Sequence, residues 1–112
     1  MDMDRQTLFT ELFGNSPTIK ILEFFIENDL YDYSKSDIFR ATGVARTTIQ
    51  SILDTLSKKR ILIQTRKLGR ANLYKLNRDN LVVNEMVMFA VNAITASAKI
   101  EIESLSARAK SK

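Results

Sequence analysis

Gly43-Val44-Ala45-Arg46-Thr47-Thr48-Ile49-Gln50-Ser51-Ile52-Leu53-Asp54-Thr55-Leu56 is the stretch on which the reading of this chain turns. Ile49, Ile52, Leu53 and Leu56 recur at helical spacing, so the pattern predicts a helix over residues 46–59 that buries this stripe. Arg46, Thr47, Thr48, Gln50 and Ser51 are then left facing out. Glu or Lys would favour a helix more than these hydroxyl and amide side chains do. An ordinary solvated surface is one reading of them; a surface that exchanges hydrogen bonds with a partner is the other.

Working outward, Ser34-Lys35-Ser36-Asp37 has the form of a capping box and opens a short helix that Gly43 ends, one tight turn before the next. Tyr31-Asp32-Tyr33 alternates and reads as a minimal strand. Ser16-Pro17 is a helix start, with Ser16 as N-cap and Pro17 in the first turn. The helix over residues 17–28 turns Ile19, Leu22 and Ile26 inward, flanked by Ile21 and Phe25. Before it, residues 4–13 predict a short helix with Leu8, Phe9, Leu12 and Phe13 in one stripe, ended by Gly14.

On the other side the apolar period becomes that of a strand. Ile61, Ile63 and Thr65 share one face, Leu73 and Leu76 belong to a second run, and Leu68-Gly69-Arg70-Ala71 joins the two as a hairpin. Residues 77–80 are polar and offer an N-cap for a last helix over about residues 81–105, ~36 Å long at ~1.5 Å per residue. The small, basic tail beyond it is expected to fray.

Charge is distributed unevenly along the 112 residues. Residues 1–39 carry a net −5, residues 40–78 a net +9 and residues 79–112 none, which together make the formal +4 of the chain. The middle segment holds 10 basic side chains and 1 acidic one, a field that suits a polyanionic partner better than plain solvation.

The order helix, strand, helix, tight turn, helix, hairpin is that of a winged helix-turn-helix. Four stretches carry a resemblance to small archaeal and bacterial winged-helix transcriptional regulators of the broad MarR/ArsR-like type. They are Leu12-Phe13-Gly14-Asn15-Ser16-Pro17, Ser34-Lys35-Ser36-Asp37-Ile38, Gly43-Val44-Ala45-Arg46-Thr47-Thr48-Ile49 and Gly69-Arg70-Ala71-Asn72-Leu73-Tyr74. The likeness spans about residues 12–80. Two positions depart from that pattern. Phe39 stands where a small residue usually lies at the helix crossing, and Ala45 where Ser commonly caps the recognition helix.

The expected fold is mainly α with a small β-hairpin (α+β). Residues 1–80 make the winged helix-turn-helix domain, and residues 81–112 a long C-terminal helix and basic tail within the same globular unit. The expected function is sequence-specific binding of double-stranded DNA as a cytoplasmic, homodimeric transcriptional regulator on a pseudo-palindromic site. A winged helix used for protein or RNA contact is the alternative, since fold alone does not fix function.

In the DNA reading the helix over residues 46–59 enters the major groove. There Arg46 suits guanine, Gln50 adenine and the Thr methyl groups thymine, with Ser51 beside them. Arg66, Lys67 and Arg70 on the wing, together with Lys75 and with Lys58, Lys59 and Arg60 at the helix end, meet phosphates or the minor groove. Lys58, Lys59 and Arg60 also complement the helix dipole, which is a structural role of its own.

The last helix is apolar on two sides and must bury both. One stripe contains Val82, Met86, Phe89, Ala93 and Ala96, the other Val83, Val87, Val91, Ile94 and Ala98. Val83, Met86, Val87, Phe89, Ala90, Ala93, Ile94 and Ser97 are the expected dimer contacts. Asn84, Glu85 and Asn92 argue against a membrane span. The acidic N-terminus lacks the apolar run of a secretory signal.

Cys and His are both absent. Disulfides, a thiolate nucleophile, the usual transition-metal sites and the commonest general base are therefore excluded. No paired carboxylates or Gly-rich phosphate loop appear, so neither an enzyme nor a cofactor or metal is expected.

Overall fold

The computed structural model describes residues 8–110. In chain order its elements are α1 (Leu8–Phe13), α2 (Pro17–Glu27), β1 (Tyr33–Ser34), α3 (Lys35–Thr42), α4 (Arg46–Lys58), β2 (Leu62–Leu68), β3 (Ala71–Leu76) and α5 (Leu81–Lys110). Side chains set where three of the helices begin. Ser16 Oγ accepts from the Ile19 amide at 3.4 Å ahead of α2, where Pro17 occupies the first turn. The predicted capping box is complete: the Asp37 amide donates to Ser34 Oγ (3.2 Å) and the Ser34 amide to Asp37 Oδ2 (2.9 Å). Asn80 Oδ1 accepts from the Val82 amide at 2.9 Å to open α5. Gly43 ends α3 at φ +73°, a left-handed conformation that costs glycine little.

The strands form one antiparallel sheet in the order β1-β3-β2. Tyr33 pairs with Tyr74 and Ser34 with Leu73, so β1 begins two residues later than the aromatic alternation predicts. Its place is fixed by packing: the Tyr33 ring stands edge-on to Phe24 of α2, with centroids 4.9 Å apart. β2 and β3 join through Gly69 and Arg70, with Gly69 at φ +61° in the first central position, where a type II′ hairpin needs it.

The phase of β2 differs from the prediction. Leu62 is buried at 1% exposure and pairs with Leu76, whereas Ile63 is 40% exposed. A register break between Gln64 and Arg66 then leaves Thr65 unpaired, as in a bulge.

Ile21, Phe25, Ile38, Ile49, Leu53, Leu62, Leu76 and Val83 are the large side chains most completely withdrawn from solvent. On α2 this puts Ile21 and Phe25 at the centre of the core, with Leu22 and Ile26 beside them and Ile19 at its edge. Sequence reasoning had the centre and the flank reversed. On α3, Ile38 is fully buried and Phe39 partly exposed.

α5 closes the core with Val83, Val87 and Ala90, Met86 packs against the same cluster, and Ala93 is buried one turn on. All five were expected at a subunit contact; the structure buries four of them, and Met86 in part, within their own chain. Their line cuts across the two predicted stripes because Ala90 supplies the turn that links them. Phe89 and Ile94 remain 40% and 41% exposed. Phe89 also stacks with Phe9 and Phe13 of α1, at centroid distances of 6.0 and 5.4 Å. The Ser97 side chain lies outside the described residues.

The helix continues through residues 106–110, where fraying was expected. Leu81–Ala107 is long and apolar enough to cross a membrane by length and composition, so its polar residues do not by themselves decide the matter. One stripe of it, with Val83, Val87 and Ala90, packs in the domain core.

One contact binds the end of α4 to the start of α5. Arg60 adopts φ +61°, and its carbonyl accepts from Asn77 Nδ2 (2.9 Å) and Asn80 Nδ2 (3.0 Å). Asn80 thus serves as both cap and tie. Asn80→Ala is expected to lower the free energy of unfolding by about 1–2 kcal/mol, read as a lower urea midpoint at unchanged slope.

Candidate nucleic-acid interface

Ile49 and Leu53 of α4 are fully buried and Leu56 nearly so, which fixes the rotation of the helix about its axis. The opposite side presents Arg46, Thr47, Ser51, Asp54, Thr55 and Lys58 to solvent, with Thr48 and Gln50 half-buried. This exposed side carries no apolar residue. The Arg46 guanidinium rests over the Phe39 ring, 4.7 Å from its centroid, which steadies the cation near the start of the helix.

Ala45 caps α4 without a side-chain hydrogen bond, and the first backbone bond runs from the Ile49 amide to the Ala45 carbonyl at 2.9 Å. The amides ahead of it have no intrahelical acceptor, an arrangement that attracts anions.

The wing carries Lys67 and Arg70 exposed near its tip. Arg66, predicted to meet phosphate beside them, has another partner. Its Nε and Nη2 donate to the two carboxylate oxygens of Asp32 at 2.9 and 3.1 Å, and Thr65 Oγ1 donates to the same carboxylate at 2.5 Å. Hydrogen bonds from Arg66 and Thr65 lower the Asp32 pKa from 3.8 to about 2, and Asp32 in turn raises that of Arg66. Arg66 therefore braces the wing against the segment before β1. Arg78 is occupied likewise, by Asp29 and by Asn84 Oδ1.

Lys58 and Arg60, with Gln64 and Tyr74, line a shallow cleft of about 530 Å³ between the end of α4 and the wing strands. The structure thus brings the end of α4 and the base of the wing to one place. Lys59 is exposed, and Lys75 is half-buried on β3.

Two contacts lie outside the residues picked from sequence. Lys35 Nζ donates to Gln50 Oε1 at 3.3 Å, and Gln50 Nε2 donates to Asp54 Oδ1 at 2.9 Å. The spacing of Gln50 and Asp54 is the four-residue interval of a helical pair and could have been read from sequence. The Lys35 contact spans 15 residues and could not.

The fold is shared with solved structures. The adhesin competence repressor AdcR of Streptococcus pyogenes superposes with a TM-score of 0.61 at 10% identity, over 78% of this chain and 63% of its own. NadR, solved in complex with 4-hydroxyphenylacetate, gives 0.59 at 17% identity over 91% and 70%. The PcaV transcriptional regulator of Streptomyces coelicolor, in complex with its natural ligand, gives 0.54 at 18% over 87% and 74%. This chain therefore spans less than two thirds of AdcR. No family profile and no curated protein matches its sequence. At these identities the likeness is one of fold, the winged helix-turn-helix that the sequence motifs resemble. AdcR is a repressor and PcaV a transcriptional regulator.

Two outcomes test this geometry. Ala45→Ser supplies the missing cap and should stabilise the protein by roughly 1 kcal/mol, seen as a melting temperature a few degrees higher. The Asp32 carboxyl titrates lower in the folded than in the unfolded chain, so its contribution is present above the ordinary value of 3.8 and lost as pH falls toward about 2. Thermal melts of wild type and Asp32→Asn should accordingly differ most near neutrality and converge in that acid range.

Proposed function

We propose that the chain is a transcriptional regulator that binds double-stranded DNA sequence-specifically as a homodimer, with α4 in the major groove. One observation carries this reading: α4 has one side wholly sequestered in the core, and the other made only of hydroxyl, amide and charged groups. Such a face exchanges hydrogen bonds with base edges, which a face built only for solubility has no need to do. Arg46, Thr47, Thr48, Gln50 and Ser51 are its base-reading candidates. Lys67 and Arg70 of the wing, with Lys58, Lys59, Arg60 and Lys75, supply the phosphate contacts. Arg66 contributes through its brace on the wing. A cytoplasmic location and the absence of a cofactor go with this function.

The second subunit pairs through α5. Beyond the buried stripe, Met88, Val91, Thr95, Ala98, Ile102 and Leu105 are exposed and follow one another at intervals of three and four. That is the spacing of a coiled-coil seam, which a single chain leaves uncovered. Residues 81–110 therefore close the domain with one stripe and pair with a second copy through another. Two-fold pairing would set the recognition helices about one DNA turn apart, roughly 34 Å, on a pseudo-palindromic site.

Binding measured against salt tests the reading. The affinity should fall linearly on a log–log plot, with a slope that reports several phosphate contacts. Arg70→Ala should weaken binding to all duplexes alike and reduce the slope by about one, while Arg46→Ala should cost about 1–3 kcal/mol and relax the preference for particular bases. A complex indifferent to salt would point instead to a protein partner. For assembly, light scattering should give a dimer for the wild type and a monomer for Val91→Glu; a wild-type monomer would remove the two-fold model.

A further inference from the structure

We propose that Lys35 and Asp54 are positioning residues for base readout, which lock the polarity of the Gln50 amide so that it presents one order of donor and acceptor to the DNA. The inference rests on the DNA-binding reading above and goes one step into its chemistry.

A glutamine amide carries an acceptor oxygen and a donor nitrogen of nearly the same size, so a free side chain offers them in either order. Gln50 has no such freedom. Its oxygen faces the Lys35 ammonium at 3.3 Å, and its nitrogen faces the Asp54 carboxylate at 2.9 Å. Lysine only donates and an ionised carboxylate only accepts. A half-turn of the amide would set N–H against ammonium and oxygen against carboxylate, replacing two attractions with two repulsions. One orientation survives.

Each neighbour uses one hydrogen-bonding position of the amide. Gln50 keeps a second N–H and a second oxygen lone pair, and it is only half-buried on the side of α4 that bears Arg46, Thr47 and Ser51. Adenine presents an acceptor, N7, beside a donor, the N6 amino group, in the major groove, whereas guanine presents two acceptors. An amide held with donor and acceptor in fixed order matches adenine with both groups and guanine with only one. The lock comes from two elements, since Lys35 opens α3 and Asp54 lies one turn beyond Gln50 in α4. The helix-turn-helix crossing thereby sets the reading head.

The experiment is selection of bound duplexes from a random pool by wild type, Gln50→Ala, Asp54→Asn and Lys35→Met, each shown by thermal melting to be folded. The wild type should select adenine at one position of each half-site, and Gln50→Ala should lose it. Asp54→Asn, which accepts the amide in either order, should reduce that preference by up to about twofold, the share lost when an amide is free to take two orders. Lys35→Met should do the same, and the remaining positions of the motif should stay as they were. A purely structural role would weaken binding to every duplex alike and leave the base preference intact.

Should either variant fail to fold, the other decides. Adenine retained at full strength in Asp54→Asn and Lys35→Met, or in Gln50→Ala, overturns the inference while DNA binding stands. A wild-type protein that selects no motif overturns both.

Discussion

The burial of Ile49 and Leu53 is the contact from which the rest of the molecule takes its orientation. Both side chains are fully enclosed, against a core built by α2, α3, the sheet and α5. Removing such a side chain costs about 2–5 kcal/mol, a large part of the stability of a domain this small. The helix therefore has little freedom to rotate about its axis. With its rotation fixed, the positions of Arg46, Thr47, Gln50, Ser51 and Asp54 follow from helical geometry alone. The same contact stabilises the fold and aims its surface.

Around that helix the charges are sorted by pairing. The excess of cations in residues 40–78 overstates what a partner would meet, because Arg40, Arg66 and Arg78 are engaged by Asp37, Asp32 and Asp29. These carboxylates lie in the acidic first third of the chain, so part of its opposite charge is spent on bracing. Arg66 holds the wing at the point where its ladder is broken, and Arg78 holds the entry to α5. Lys58, Lys67 and Arg70 stay exposed. Fewer free cations in defined places give a narrower electrostatic footprint than the sequence total suggests.

α5 is apolar on more sides than its own domain covers. Its stripe of small and branched side chains, Val83, Val87, Ala90 and Ala93, lets it sit close to the domain. The residues that project from it farther along, Ile102 and Leu105 among them, have no cover among the described residues. Phe13 of α1, itself exposed, stands against Phe89 of α5. Exposed apolar side chains of this size are candidates for contact with another molecule.

What the sequence by itself determined is whatever depends on neighbours a few residues apart. The caps at Ser16, Ser34 and Asn80, the turns at Gly43 and Gly69, and the buried stripe of α4 are local, and they are enough to establish the helix order and the hairpin. Tertiary structure decided the rest. The unpaired Thr65 resets the ladder partway along β2, and the phase of the strand is set by which residue, Leu62, reaches the core. Which stripe of α5 is buried depends on the domain it lies against, since its apolar residues surround much of the helix. Lys35, which meets Gln50, and Asp32, which meets Arg66, lie 15 and 34 residues away in the chain. No period or motif encodes a contact at that range; only the packing of α3 on α4, and of the wing on the segment before β1, brings those groups within reach of each other.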